Sequence, residues 1–326
     1  MKQHLIAFTT CGLLVAGAPA LADSCPDYTA PLSAPALELP DREGFRHFGN
    51  TLLSGIYRPQ HMIHDAIVAA GNDATLIGKF DYDPVLHKDL EDENIRVYLY
   101  GGDMTDWQDL GRYRTDSDGK IYVPVNKAVG EYRVRMVVEG DLTTVDGYLS
   151  VVDPGRQAVL FDIDGTLTLN DFEAYADYVG IKTAQAHAYA PETVEAYRDK
   201  GYQILYLTAR PYWVTSDARP WFDHYGLLPW HYHSNPYGDG PIPPNTLSFK
   251  TDYVRYLKDT VGLDIIRAYG NADTDIAAYA AAGIAKTDTW IIGRHAGEDG
   301  TQAIGDDYSY HFSTVVANTP EAACRR

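Results

Sequence analysis

The stretch Ala158-Val159-Leu160-Phe161-Asp162-Ile163-Asp164-Gly165-Thr166-Leu167-Thr168 decides how this chain is read. Its first four residues form an apolar run of buried-strand length, and the run ends abruptly in two carboxylates spaced i, i+2. Acids at the end of a buried strand are costly unless a cation or a substrate engages them. Gly165 permits a sharp turn directly afterwards, which leaves both carboxylates at the mouth of a sheet. There one carboxylate can attack phosphorus, while its neighbour protonates the leaving oxygen and later deprotonates a water. A solvated Asp-x-Asp-Gly turn is the bland alternative. The preceding apolar run and Thr166, four residues beyond Asp162, speak against it.

Towards the C-terminus the same pattern repeats. Gln203–Leu207, Ile265–Tyr269 and Trp290–Ile292 are further apolar runs, with helical patterns at Pro191–Lys200, Thr251–Asp259 and Thr274–Ala282 between them. Strands alternating with helices predict a parallel α/β sheet covered on both faces, with ligands beyond the carboxyl ends of its strands. Three segments fall there. Thr208-Ala209-Arg210 ends the second strand, and a hydroxyl with adjacent amides can cradle phosphate oxygens. Lys250, expected just before the helix 251–259, can neutralise the same phosphate. Asn271 and Asp275 follow the third of these runs; Asn271 offers an oxygen to a cation or caps the helix, and both roles can coexist. Asp162, a backbone carbonyl at Asp164 and Asn271 would suffice for Mg²⁺, which prefers oxygen donors and keeps several waters.

Towards the N-terminus the period changes to short β-prone runs: Ala74–Tyr82, Ile95–Tyr100, Gly111–Thr115, Ile121–Val125, Tyr132–Val138 and Val145–Val152. Their spacing predicts an antiparallel β-sandwich of about 90 residues. Asp116-x-Asp118-Gly119 reads as a hairpin turn, because the downstream ligands of a calcium loop are missing. Residues 23–62, Pro-rich at first, read as an extended lead-in, with Arg58, His61 and His64 serving structure. Lys2, the apolar Leu5–Val15 and Ala20-Leu21-Ala22 have the form of a cleaved export signal over 1–22, which predicts a periplasmic or extracellular protein. In that setting Cys25 and Cys324 are expected to pair, two unpaired tails being the alternative. The formal charge is −18, and no Lys/Arg run occurs. Such a chain repels nucleic acid and anionic bilayers.

The four segments around Asp162, Thr208, Lys250 and Asn271, in this order, resemble the haloacid dehalogenase superfamily of phosphatases. The resemblance implies a Rossmann-like fold, Asp162 as nucleophile and Asp164 as acid/base. It implies Thr208, Arg210 and Lys250 around the phosphate, and Mg²⁺ held on the side of Asp162, Asp164, Asn271 and Asp275. Where the wider superfamily has an acid, this chain has Asn271, as does the lipin-type phosphatidate phosphatase domain. That domain is also similar in Asp162–Thr166, Gly201–Arg210, Gly270–Tyr279 and Gly297-Glu298. The likeness covers about 155–315 and implies an immunoglobulin-like character for the preceding sandwich.

The organisation expected is therefore a signal at 1–22, a lead-in at 23–62, a sandwich at 63–153, a phosphatase domain at 154–318 and a tail at 319–326. About 35 residues separate Thr168 from Ile204, too few for a large cap, and an open site suits a bulky or interfacial substrate. Tyr212, Trp213, Trp221, Phe222, Tyr225, Trp230, Tyr232 and Tyr237 follow Arg210; they read as core packing or as a transient contact with membrane or micelle. His231-x-His233 suggests zinc but lacks a third ligand nearby. Three functions remain open: a phosphatidate-type lipid phosphatase giving diacylglycerol, an exported phosphatase for soluble phosphomonoesters, and a non-catalytic phosphatidate sensor of the kind the resemblance suggests for phosphatidylinositol-transfer proteins. The presence of both Asp162 and Asp164 weighs against the sensor. No protein partner can be inferred from the sequence.

Overall fold

The computed structural model describes residues 28–82, 88–169, 184–212, 218–229, 231–236 and 245–323. The export signal, Cys25 and Cys324 with their pairing, Trp213, Trp230 and Tyr237 lie outside them.

Two β-sheets face each other across an apolar core in the N-terminal half. One runs β1 (Met62–His64), β3 (Ala74–Lys79), β8 (Lys120–Val125) and is antiparallel. The other runs β2 (Ala66–Ala69), β10 (Thr144–Val152), β9 (Gly130–Val138), β6 (Asn94–Gly101), β7 (Gln108–Arg114). A short pair, β4 (Asp81–Tyr82) and β5 (Lys88–Asp89), lies beside them. β8 shows why the pattern works. Ile121, Val123 and Val125 point into the core while Tyr122 and Pro124 point out, and Pro124 is tolerated because β8 is an edge strand.

The sandwich is not wholly antiparallel, since β2 pairs with β10 in parallel register. β1 and β2 were also invisible as strands, being three and four residues long. The turn at Asp116–Gly119 is present: Asp116 Oδ1 accepts N–H groups from Asp118 and Lys120, both at 2.9 Å. It carries the chain from one sheet to the other and so closes no hairpin ladder. Turn chemistry is local, whereas the choice of strand partner is not.

The lead-in contains a helix, α1 (Phe48–Ile56). With two glycines, an asparagine, a threonine and a serine, its sequence has little intrinsic helicity. Its amino end is held by the buried carboxylate of Glu93, which accepts the N–H groups of Arg46 (2.8 Å) and His47 (3.0 Å) and the Asn50 side chain (2.8 Å). An anion at a helix N-terminus favours the helix dipole. The rest of the lead-in lies along the sandwich, with Trp107 Nε1 donating to the Pro35 carbonyl at 2.8 Å.

After Asp153-Pro154-Gly155 the chain enters a parallel sheet in the order β13 (Tyr232–Asn235), β12 (Gln203–Pro211), β11 (Gln157–Asp162), β14 (Asp264–Gly270), β15 (Thr289–Ile291), β16 (Gln302–Ala303). One face carries α2 (Ala190–Asp199) and α3 (Ala218–His224); the other carries α4 (Thr246–Arg255) and α5 (Asp273–Ala281). β13 and β16 are edge strands without a continuous apolar run, which is why the sequence did not announce them. The C-terminal segment is docked rather than loose: Ala322 N–H donates to Lys200 O at 2.8 Å, and Tyr202 hydroxyl to Pro320 O at 2.9 Å.

The two halves are joined by buried polar contacts. Asp65, between β1 and β2, accepts the N–H groups of Tyr148 (2.8 Å) and Tyr232 (3.0 Å) and pairs with Arg219 at 2.6 Å. A cavity of about 770 Å³ lies at this junction, lined in part by Arg133, Tyr148, Arg219 and Tyr232, and shares no residue with the Asp162 cluster.

Candidate active site

The pleat of β11 aims Asp162. Ala158 and Leu160 pack on the α4/α5 face, while Val159 and Phe161 pack on the α2/α3 face. Two-residue alternation sends Asp162 to the α4/α5 face, where Lys250 and Asp275 are. Gly165 turns the chain at φ +72°, and the Ile163 carbonyl accepts N–H groups from Leu167 and Thr168 at 2.9 and 3.1 Å. This tight loop carries Asp164 over the end of the strand.

The side chains then interlock. Lys250 Nζ donates to Asp162 Oδ1 and to Asp275 Oδ1, each at 2.6 Å. Thr166 hydroxyl donates to Asp162 Oδ2 at 2.8 Å. Asp164 accepts a hydrogen bond from the Thr208 hydroxyl at 2.6 Å and pairs with Arg210 Nε at 2.8 Å. Asp275 Oδ2 accepts the N–H groups of Asn271 (3.0 Å) and Ala272 (3.1 Å). Asp162, Lys250 and Asp275 are 3%, 4% and 0% exposed, so the three charges meet almost without water.

The electrostatics follow from that burial. Desolvation raises the pKa of Asp162; Lys250 opposes this, and the charges of Asp275 and Asp164 add to it. Burial would lower Lys250, but its two carboxylate partners outweigh it and hold the ammonium charged. Asp162, Asp164 and Asp275 face just Lys250 and Arg210 among the described residues of the cluster, which leaves a surplus of negative charge. No group of three or more His, Cys, Asp or Glu side chains that could hold a metal occurs among the described residues. The set expected for Mg²⁺ is of another kind: Asp162, the Asp164 backbone carbonyl and Asn271, with Asp275 on the same side, although both Asp275 oxygens are engaged by Lys250 and the 271–272 amides. Its all-oxygen chemistry and the surplus anion fit that cation.

The structure brings together Asp162, Asp164, Thr208, Arg210, Lys250 and Asp275, from the ends of two strands and from two helices. Several details differ from the sequence expectation. Lys250 lies inside α4 rather than ahead of it, because the helix begins at Thr246. Thr208 and Arg210 engage Asp164 in this state. Asp275 has both oxygens engaged and acts on the cluster through Lys250 and the 271–272 amides. It also caps α5, a task the sequence assigned to Asn271; Asn271 contributes its backbone N–H to that cap and is half-buried.

Three contributors had no role assigned to them from the sequence. Thr166 orients Asp162 and stands in the quoted motif. Gly270 lets β14 approach α5, since a Cβ there would lie 2.6 Å from Asp275 Cβ. Tyr308 is fully buried and donates to the Thr166 carbonyl at 3.1 Å, a contact with no local sequence signal. Of the aromatic cluster, Trp221, Phe222 and Tyr232 are buried in the sheet core, Tyr225 packs against it, and Tyr212 donates to Asp81 Oδ2 at 3.2 Å. His231 bonds to the Tyr253 hydroxyl, and His233 stacks on the same ring at 3.5 Å; burial lowers the pKa of both.

Comparison with known proteins agrees with this architecture. Residues 159–293 match the family described as "PITM 1-3, LNS2 domain", and residues 59–151 match "PITM 1-3, beta-sandwich domain". Membrane-associated phosphatidylinositol transfer protein 1 of Rattus norvegicus is 31% identical over 271 residues, covering 79% of this chain and 20% of that protein. Protein retinal degeneration B of Drosophila melanogaster is 28% identical over 269 residues, again 79% and 20%. Membrane-associated phosphatidylinositol transfer protein 3 of Homo sapiens is 28% identical over 270 residues, 79% and 26%. The chain thus spans about a fifth to a quarter of the length of these relatives. A superoxide reductase from Ignicoccus hospitalis aligns with 33% of this chain and 99% of its own at 13% identity and a TM-score of 0.24, too low to bear on the fold. The chain carries a β-sandwich domain followed by an LNS2 domain of lipin-like, haloacid dehalogenase type, in the arrangement of the PITM proteins.

Proposed function

We propose that this site binds the phosphate monoester of a lipid, phosphatidate or a close relative, and hydrolyses it through an aspartyl-phosphate on Asp162. The observation that carries the reading is the unbalanced cluster: a purely structural buried group would be neutral, whereas here three carboxylates face two cations. Mg²⁺ held by Asp162, the Asp164 carbonyl and Asn271 would supply electrophilic stabilisation of the phosphoryl charge. Lys250 favours the ionised form of Asp162 and stands ready for the negative charge that develops in transfer. An Asp162 oxygen forms a bond to phosphorus as the bond to the leaving alcohol breaks, and Asp164 gives that alcohol its proton. Asp164 then takes a proton from the water that attacks phosphorus, releasing inorganic phosphate and restoring Asp162. Thr208 and Arg210, now on Asp164, are the donors that phosphate oxygens would draw over.

The lipid part of the reading is supported by relatives named as phosphatidylinositol transfer proteins. The leader-like residues 1–22 support an exported setting. A second reading, recognition without turnover, is favoured by those same names and by the full engagement of Asp164.

The test incubates the protein and Asp162→Asn with phosphatidate in mixed micelles and with p-nitrophenyl phosphate, each with Mg²⁺. The expected result is phosphate release from phosphatidate that falls at least about a thousandfold in the variant and in EDTA. Binding of phosphatidate without release would replace catalysis by sensing. A clear preference for the soluble ester would reject the lipid, and full turnover in EDTA the mechanism.

A further inference from the structure

The two halves of the molecule do not meet flush. Between the outer face of the β9–β10 pair and the α3 side of the parallel sheet lies the cavity of about 770 Å³. Small-molecule sites have this size, about 300–1,000 Å³, and domain junctions are where they often form. The inner wall is apolar: Met62, Leu227 and Pro229 are buried there with the rings of Tyr148 and Tyr232, and Leu228 is half-buried. A void with such walls forfeits the contacts that a packed interface makes, and an apolar body placed in it restores them.

The charge on the wall is a separate observation. Arg133 and Arg135 stand two apart on β9, and so on one face of it, where they meet a single carboxylate, Asp146 of β10. Arg135 takes both of its oxygens, Nε to Oδ1 at 2.7 Å and Nη2 to Oδ2 at 2.8 Å, and lies over the Trp107 ring at 5.6 Å. Arg133 reaches Oδ2 through Nη2 alone. Its Nε is buried and makes no hydrogen bond among the described residues, and Arg133 borders the cavity. A buried donor on a charged group is expensive to leave unmade, so this one calls for a partner.

The other charges around the cavity are matched or silent. Arg219 pairs with Asp65 at 2.6 Å and Arg198 with Asp199 at 2.8 Å. Asp223 is exposed, where water and salt screen it. Burial pushes the Glu131 carboxyl, two residues before Arg133, up to about 8, so at neutral pH it is mostly uncharged. Burial pushes His61, also beside the cavity, down to about 4, which leaves it neutral as well. Two guanidiniums against one carboxylate thus leave one positive charge at an apolar wall, in a chain of formal charge −18.

Charge and size select the occupant. One uncompensated cation suits a monoanion, whereas a dianionic head would bring one charge too many. The apolar wall asks for a body behind that head, and the volume holds one chain rather than a diacyl lipid. We propose that the junction binds a small monoanionic amphiphile, a carboxylate on a single apolar chain, with the carboxylate on Arg133 Nε and the chain between the two domains. Such a ligand touches both halves at once, so it binds them docked and not apart and stabilises the folded chain. The site is separate from the Asp162 cluster, with which it shares no residue.

The test titrates the full chain with decanoate by isothermal calorimetry, beside acetate, decanamide and decyltrimethylammonium. The expected result is one decanoate per chain, with decanamide and decyltrimethylammonium at least about tenfold weaker and acetate unbound. Arg133→Met leaves Asp146 its Arg135 partner, and should weaken decanoate about tenfold or more without changing decanamide. Leu228→Trp fills the cavity and should weaken both; should either variant misfold, the other decides. Saturating decanoate should raise the thermal midpoint of the wild type by about 2–5 °C, and that of Asp162→Asn by as much. Decanamide or decyltrimethylammonium bound as tightly as decanoate, or no decanoate bound by the wild type, would overturn the proposal. So would wild-type affinity for decanoate in the folded variants, or binding that Asp162→Asn removes, which would place the ligand in the other site.

Discussion

Asp65 and Asp275 are held alike in two different regions. Each is buried, each accepts two backbone N–H groups, and each meets a long cationic side chain at 2.6 Å. At Asp65 the set closes on one guanidinium, and Arg219 also donates to the Pro229 carbonyl at 2.8 Å and lies over the Tyr148 ring at 4.9 Å. At Asp275 the cation is shared with Asp162, which stands at the mouth of the sheet. One arrangement is neutral and joins two domains; the other leaves negative charge unbalanced at the carboxyl end of the parallel sheet. The local device does not distinguish staple from site. The charge balance does.

Breaking the staple should give the largest change in stability. Asp65→Ala leaves the half-buried Arg219 without its carboxylate and should cost about 3 kcal/mol in denaturant unfolding, with turnover per folded molecule unchanged. A cost below about 1 kcal/mol would remove the distinction between the two regions. The next effect is at the site. Gly270→Ala places a Cβ where Asp275 now packs, so a stability loss of about 1–3 kcal/mol is expected together with a disproportionate fall in kcat, as Lys250 loses its anchor. A fall in stability with kcat intact would show that Asp275 does not position Lys250.

The last effect is spread over a pH range and concerns a third buried carboxyl that has neither arrangement. Glu131 of β9 accepts from the Ser150 hydroxyl at 2.6 Å, and burial pushes its pKa up to about 8. Because the folded pKa is raised above the ordinary 4.5, its contribution is complete below about pH 4.5 and is lost as pH rises through 8. Wild-type stability should decline over that window by at most about 1.4 kcal/mol per pH unit. Glu131→Gln should flatten the slope, as measured by unfolding across pH 5–9. An unchanged slope would mean that Arg156 compensates Glu131 as Arg219 does Asp65.

Much of the α/β half was legible because its signals are local. Continuous apolar runs have the length of strands buried on both faces, and their ends carry Asp162, Thr208 and Asn271. Edge strands β13 and β16 were not legible, since one-sided pairing asks little of a sequence. In the sandwich, alternation announced β6, β8, β9 and β10, but the parallel pairing of β2 with β10 depends on partners some eighty residues apart. α1 was missed for the clearest reason: its helicity comes from Glu93, some forty residues away.

The sequence by itself determined the alternation of strand and helix, the carboxylate pair at the end of β11 and the residue types that gather round it, because hydrophobic period and turn chemistry act over a few neighbours. Tertiary structure alone decided that Lys250 would be shared between Asp162 and Asp275, that Asp65 would clamp the two domains, and that α1 would form. Each of these needs groups far apart in the chain to meet in a nearly water-free place, where partners, and not propensity, set the energy.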